Sequence, residues 1–218
     1  MRPVATPPTE RTRVRRLPER GVYDRETIDA IVDEALICHL AYVVDGEPRV
    51  IPTIHARAGD TLYVHGSNAS RTLRTAKQGT PVAIEITLLD GLVLARSAFH
   101  HSMNYRSVIV YGRAREVTEP DEKWEAQLAL VEHVAHGRSA DARMPNQREL
   151  DQTTILAVEI DEASAKVRTG PPKDEEADLA LPIWAGVLPF RTIPGEPEPD
   201  PHLPGDVPVP GYVRDYQR

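Results

Sequence analysis

The sequence predicts a mainly β domain with flanking helices, built as a small antiparallel barrel. Three observations carry this. Strand-like runs are short and closely spaced, and Asp-Gly pairs at Asp45-Gly46 and Asp90-Gly91 stand between such runs, where turns need positive φ. Helix-period segments are few and lie outside the strand series, which argues against a layered parallel sheet.

Each element follows from local pattern. Asp24 is a good N-cap, and Ile28, Ile31, Val32, Ala35 and Leu36 recur at helical spacing, so 25–37 reads as an amphipathic helix. Strands over 41–44 and 48–54 flank Asp45-Gly46, and 61–65 follows a turn at Ala58-Gly59-Asp60. A short helix over 69–78 ends at Gly79. Segments 81–88 and 92–99 form a second hairpin about Asp90-Gly91, and 107–117 is a long strand whose Gly112 marks a bend or bulge. Thr118 with Asp121 resembles a capping box, and Pro120 suits a first turn. Trp124, Leu128, Val131 and Ala135 then give an apolar stripe before Gly137. The last clear strand is 154–160, giving at least seven strands and three helices.

Composition bounds the function. The 218 residues suffice for one domain with tails and a core that needs no disulfide or metal. Lys plus Arg is 26 and Asp plus Glu is 33, and the net charge of −7 disfavours wholesale binding of nucleic acid or anionic membrane. The one cysteine, Cys38, lies between Ile37 and Leu40 in sequence terms of a buried, inert thiol. No signal-peptide or spanning apolar run is present, so a soluble, cytoplasmic protein is expected. Residues 1–21 form an Arg/Pro-rich arm, expected to be solvated or to cover a partner subunit. Residues 22–170 form the folded domain, and 171–218 a Pro-rich acidic extension. Eleven of the 20 prolines fall between Pro171 and Pro210, which forbids long helices or central strands there.

Two segments carry chemistry. In the run from Tyr63 to Arg74 a strand ends at His65-Gly66, and a helix begins beside Ser67 and Ser70, with Arg71, Arg74 and Lys77 on one face. This reads either as a phosphate site built on free amides and guanidinium forks or as a capped surface helix. The run from Phe99 to Ser107, with His100, His101, Met103 and Tyr105, reads either as a substrate-contacting loop or as a plug for the barrel end. His133 and His136 lack the companions a closed zinc site needs, so no metal is expected. There is no glycine-rich dinucleotide turn, phosphate loop or nucleophile elbow.

The chain resembles the pyridoxamine 5'-phosphate oxidase-related flavin-binding proteins, the family that includes nitroimidazole-reductase-like members. The resemblance covers 22 to about 190. It rests on Val50-Ile51-Pro52-Thr53, on the run from Leu62 to Ser67 leading into Ser70-Arg71, and on the run from Asp90 to Ser97. Met103-Asn104-Tyr105-Arg106-Ser107-Val108, the run from Lys166 to Pro171, and Trp184-Ala185-Gly186-Val187 complete it. It implies a homodimer of six-stranded split barrels with FMN at the subunit interface, acting as an oxidoreductase on a small molecule, with NAD(P)H a possible electron donor. Carried over, Pro52 and Thr53 present backbone to the flavin ring, and Ser67, Ser70, Arg71 and Arg74 hold the phosphate. Arg106 and Ser107 approach the cofactor, Lys166 and Arg168 reach a phosphate or substrate anion, and Trp184 walls the pocket. His100, His101 and Tyr105 are the expected substrate-contacting, catalytic groups. Related barrels also take the deazaflavin F420 or haem, for which His65, His100 or His101 would be the axial ligand. A non-catalytic flavin, F420 or haem module is the alternative. The chain lacks the Arg-x-His clamp near the C-terminus of true pyridoxamine phosphate oxidases, so the resemblance supports the cofactor better than the vitamin substrate.

Overall fold

The computed structural model of the chain describes residues 9–69, 73 and 78–217. After the short strand β1 (Gly21–Val22), Asp24 caps helix α1 (Arg25–Glu34) by accepting a hydrogen bond from the Thr27 amide at 2.8 Å. That satisfies one of the donors every helix start leaves open. Ile28, Ile31 and Val32 project from α1 into the core, and burying each is worth about 1.5–3 kcal/mol. Arg57 holds the other side of the helix, 3.3 Å from Asp29 and paired with Asp33.

Strands β2 (Ile37–Val44) and β3 (Glu47–Ala58) form the expected hairpin, with Asp45 at φ 52° and Gly46 at φ 80°. Cys38, Leu40 and Tyr42 face the core, so Ile37, His39 and Val43 face outward. Strand β4 (Thr61–Ser67) returns beside β3. Next come β5 (Gln78–Leu94), β6 (Ser102–Glu116) and helix α2 (Pro120–Val134). Helices α3 (Arg138–Asp141) and α4 (Gln147–Asp151) precede β7 (Thr153–Glu159) and β8 (Glu162–Arg168). Strand β9 (Gly186–Pro189) and helix α5 (Gly211–Arg214) lie in the C-terminal extension.

The expected mainly β, six-stranded split barrel is corrected by this topology. The fold is mixed α/β, with one antiparallel sheet of nine strands in the order β1-β8-β6-β7-β4-β3-β2-β5-β9. Instead of closing into a barrel of six, the sheet runs from edge strand β1 to edge strand β9, with an additional β5–β6 pairing. The cause is strand length. At 17 and 15 residues, β5 and β6 outrun any one neighbour. Residues 82–85 of β5 pair with β2 while 91–94 pair with β9, and residues 105–111 of β6 pair with β8 while 115–116 pair with β7.

Local expectations change with it. Asp90-Gly91 does not turn the chain: β5 continues through it with a register shift between Leu89 and Gly91. An added Cβ on Gly91 would lie 2.7 Å from the Leu188 carbonyl oxygen of β9, so the glycine admits a neighbouring backbone. Gly112 leaves room for the Val158 side chain, whose Cγ1 an added Cβ would meet at 2.7 Å, with no register shift there. Strand β6 begins at Ser102, taking in two thirds of the run from Phe99 to Ser107 read as a loop. The buried face of α2 is Ala126 and Leu130, while Trp124 stands exposed. Of the predicted helix over 69–78 only positions 69, 73 and 78 are described, the last as the start of β5, and Ser70, Arg71, Arg74 and Lys77 lie outside the described residues. Among the described residues no helix is long and apolar enough to cross a membrane.

Candidate functional site

Register places the site. Pro52 of β3 lies opposite His39 of β2, His39 opposite Glu85 of β5, Glu85 opposite Ile109 of β6, and Ile109 opposite Ser164 of β8. The next row is Thr87, Ser107 and Lys166, and the next is Leu89, Tyr105 and Arg168. Since side chains alternate along a strand, these rows share the outer face of the sheet. Ile37, Val43, Val50 and Leu89 on this face are 47, 58, 61 and 44 % exposed. Such a run of apolar side chains with polar groups in its middle is the surface expected of a binding face.

The polar centre is a short relay. Thr87 Oγ1 donates to Glu85 Oε1, and Glu85 Oε2 lies 3.2 Å from His39 Nδ1. His39 Nε2 is therefore the ring nitrogen available to a ligand. Sequence reading missed this pair, because strand β2 was expected to begin at Ala41. The signal was available in the alternation of Ile37, His39 and Ala41 with the core residues Cys38, Leu40 and Tyr42.

Two of the predicted cations stand apart from carboxylates. Lys166 makes no ion pair among the described residues, and Ser107 Oγ donates to its carbonyl at 3.3 Å. Arg168 is 7 % exposed and donates to Asn104 Oδ1, to the Gly170 carbonyl at 2.8 Å and to the Pro171 carbonyl at 3.0 Å. Burial, reinforced by Arg20, pushes its pKa down. All its partners are neutral, so positive charge is left uncompensated at this end of the face.

Arg106 behaves differently. Its side chain leaves the opposite face of β6, where it binds Glu34 of α1 and Asp90 of β5. Two carboxylates already occupy its fork, making it a strut between helix and sheet. Of the other predicted residues, Thr53 lies next to Pro52 and donates to the Ile54 carbonyl. His100 stands 3.5 Å from Glu175, and His101 Nδ1 lies 3.0 Å from the Ser97 carbonyl. Both histidines belong to the corner between β5 and β6, where Asp174 receives the Arg96 and Ser97 amides and the Arg96 guanidinium. Trp184 is 67 % exposed, its ring packed against Gly186.

His65 and Ser67 lie elsewhere. His65 is on β4 opposite Ile155 of β7, sharing a face with Tyr63 and Ala157 under α2. Its Nδ1 is buried without a hydrogen-bond partner, and burial pushes its pKa down, so the ring is neutral near pH 7. Ser67 Oγ accepts from the Ala69 amide at 3.2 Å, as a local cap does. An added Cβ on Gly66 would meet Leu73 Cδ1 at 2.7 Å, so the end of β4 passes hard against residue 73.

A cavity of about 610 Å³ is remote from the outer face and lies between the ends of α1 and α2 and the C-terminal residues. Three of its four carboxylates are spoken for: Asp33 by Arg57, Glu34 by Arg106, and Glu132 by the Gly137 and Ser139 amides, with Asp215 the fourth. It reads as a seam between helices.

No curated protein sequence matches the chain. Among solved structures, the flavocytochrome Anf3 from Azotobacter vinelandii is 39% identical over 99% of both chains, with a TM-score of 0.91. An FAD and haem binding protein from Mycobacterium smegmatis is 36% identical over 90% of this chain and 96% of its own, with a TM-score of 0.86. The sequence profile described as pyridoxamine 5'-phosphate oxidase matches residues 24–167, leaving the N-terminal arm and the C-terminal extension outside it. The chain therefore belongs to the pyridoxamine 5'-phosphate oxidase-related, FMN-binding fold family.

Proposed function

We propose that this chain is a redox protein that binds a flavin nucleotide on its outer sheet face, between two copies of the chain, and holds a haem through His65. The observation that carries the reading is likeness along nearly the whole length to a flavocytochrome at 39% identity, with an FAD and haem binding protein close behind. The donor set fits. Lys166 and Arg168, neither paired with a carboxylate among the described residues, supply charge for phosphate, and Ser107 supplies a hydroxyl beside them. Pro52 and Thr53 contribute backbone at the other side of the face, and the Glu85–His39 pair, with the ring hydrogen at Nδ1 facing the carboxylate, presents His39 Nε2 as an acceptor. Tyr105, His100 and His101 are the substrate contacts of this reading, and Trp184 walls its margin.

His65 suits iron in its protonation state. A buried neutral imidazole whose Nδ1 has no partner is the form that ligates metal, and among the described residues neither ring nitrogen is committed to the protein. When bound, the flavin supplies hydride or single-electron transfer and the haem one-electron or oxygen chemistry. The exposed apolar residues Ile37, Val43, Val50 and Leu89 favour a second copy seated on the same face. The substrate is a small molecule, with reduced nicotinamide dinucleotide as donor, and the free buried thiol of Cys38 fits a reducing, cytoplasmic setting.

The test is the absorption spectrum of the purified protein, with mass spectrometry of what denaturation releases. The expected result is an oxidised-flavin band that bleaches with NADH or NADPH, together with a Soret band. His65→Ala should abolish the Soret band and keep the flavin. A wild-type protein with no chromophore and no affinity for FMN, FAD or haemin would end the proposal, and a Soret band retained in His65→Ala would end the assignment of the ligand.

A further inference from the structure

The N-terminal arm, expected to be solvated, is docked on the outer face of β6 and β8. Thr9 and Arg11 bind Glu162, the Arg11 guanidinium lies 4.9 Å over the Tyr111 ring, and the Val14 amide donates to Tyr23 Oη at 2.9 Å. Thr12 is only 3 % exposed. The arm encloses a cleft of about 230 Å³ against Ser107, Tyr111, Ser164 and Lys166. Arg11, Arg13, Arg15, Arg16 and Lys166 all line it, and no acidic side chain does. Glu162 neutralises Arg11, and Glu10 is shared between Arg13 and Arg15. Arg16 and Lys166 have no ion pair among the described residues, so the cleft keeps an excess of positive charge in a chain of net charge −7.

We infer that this cleft binds the diphosphate of an adenine dinucleotide. The inference rests on the flavin reading above, because Ser107 and Lys166 belong both to the flavin face and to the cleft floor. A ribityl or ribose phosphate leaving that face is led under the arm. Size limits the ligand: pockets for whole drug-sized molecules start at about 300 Å³, so the cleft takes a diphosphate and leaves the adenosine outside. Cationic side chains above and hydroxyls below are the donors a diphosphate requires. Two sources have this chemistry: the cofactor's own tail, if it is FAD, and the reduced nicotinamide dinucleotide that delivers electrons. The arm lies outside the segment matched by the family profile, so the cleft adds a ligand contact beyond that segment.

The test compares full-length wild type with Arg13→Glu/Arg16→Glu and with Arg13→Lys/Arg16→Lys. Both arginines are on the arm surface, and thermal midpoints check that the fold is kept. Binding of FAD and FMN to flavin-stripped protein is read by fluorescence quenching, binding of inorganic pyrophosphate by calorimetry, and NADPH by the concentration dependence of flavin bleaching. Charge reversal is expected to weaken pyrophosphate about tenfold, with the lysine variant close to wild type. If FAD weakens about tenfold and FMN by less than about twofold, the diphosphate is the cofactor's. If FAD holds and half-saturation by NADPH rises about tenfold, it is the donor's. Pyrophosphate, FAD and NADPH all unmoved by charge reversal would overturn the inference. A wild type that binds pyrophosphate through these arginines yet takes no flavin would keep the cleft and refute the flavin reading.

Discussion

Replacing Arg106 with methionine separates two roles for one residue. The guanidinium gives Nε to Asp90 at 3.0 Å and Nη2 to both Asp90 and Glu34 at 2.8 Å, tying the end of α1 to β5 and β6. The side chains are 30, 31 and 38 % exposed for Arg106, Asp90 and Glu34. Fully exposed pairs contribute about 0–1 kcal/mol, and breaking a buried one costs about 3–5 kcal/mol. At this intermediate exposure the two carboxylates can rehydrate, so the loss is about 2 kcal/mol. For a chain of this size each kcal/mol moves the midpoint by about 2–4 °C, giving a fall of about 4–8 °C. Methionine keeps much of the volume, which isolates the charge. The assay is thermal unfolding followed by circular dichroism at low and high salt, with flavin content measured in parallel; high salt should narrow the gap to wild type. A midpoint unchanged within about 1 °C would refute the strut. Flavin lost at an unchanged midpoint would make Arg106 a cofactor ligand instead.

Two further outcomes follow from the same geometry. Because burial lowers the pKa of His65, the unfolded chain binds more protons than the folded one as pH falls through the ordinary histidine value of about 6.5. Stability from this residue is complete above that value and declines below it, levelling once the folded form also titrates; urea midpoints of haem-free protein between pH 7.5 and pH 5, with pH values chosen about the histidine range, should slope less in His65→Gln than in wild type, and equal slopes would disprove it. Gly91→Ala places a Cβ 2.7 Å from the Leu188 carbonyl, which cannot rotate away as a side chain would. Hydrogen exchange should then quicken at β9 while the β2–β3 hairpin keeps its protection, and unchanged exchange at β9 would show that the contact is absorbed elsewhere.

The two Asp-Gly pairs explain how far local reading reaches. Asp45-Gly46 turns the chain because all of β2 pairs in unbroken register with Glu47–Ile54 of β3 across it, and both residues take positive φ. Asp90-Gly91 has the same chemistry but sits where β5 gains β9 on one side and keeps β6 on the other, so the glycine serves close approach. The dipeptide specifies only a missing Cβ and a short polar neighbour; long-range pairing decides between turn and bulge. Strand β8 was hidden for a related reason. Its inward residues are Ala163, Ala165 and Val167, so two of the three are small alanines and only Val167 is a β-branched residue of the kind that signals a strand.

The candidate site was legible residue by residue but not as a surface. Pro52, Ser107 and Lys166 emerge from the sequence resemblance, yet their common face depends on register across β3, β2, β5, β6 and β8, which no local pattern encodes. The arm makes the same point more strongly. A run of arginines among prolines reads as solvated when taken alone, and it docks because Glu162 stands 151 positions from Arg11 in sequence. Strand β9 and the docked arm both lie outside residues 24–167. The elements that set this chain apart from the matched family segment are therefore those held by non-local pairing, and they frame the two sides of the face on which its cofactor is proposed to sit.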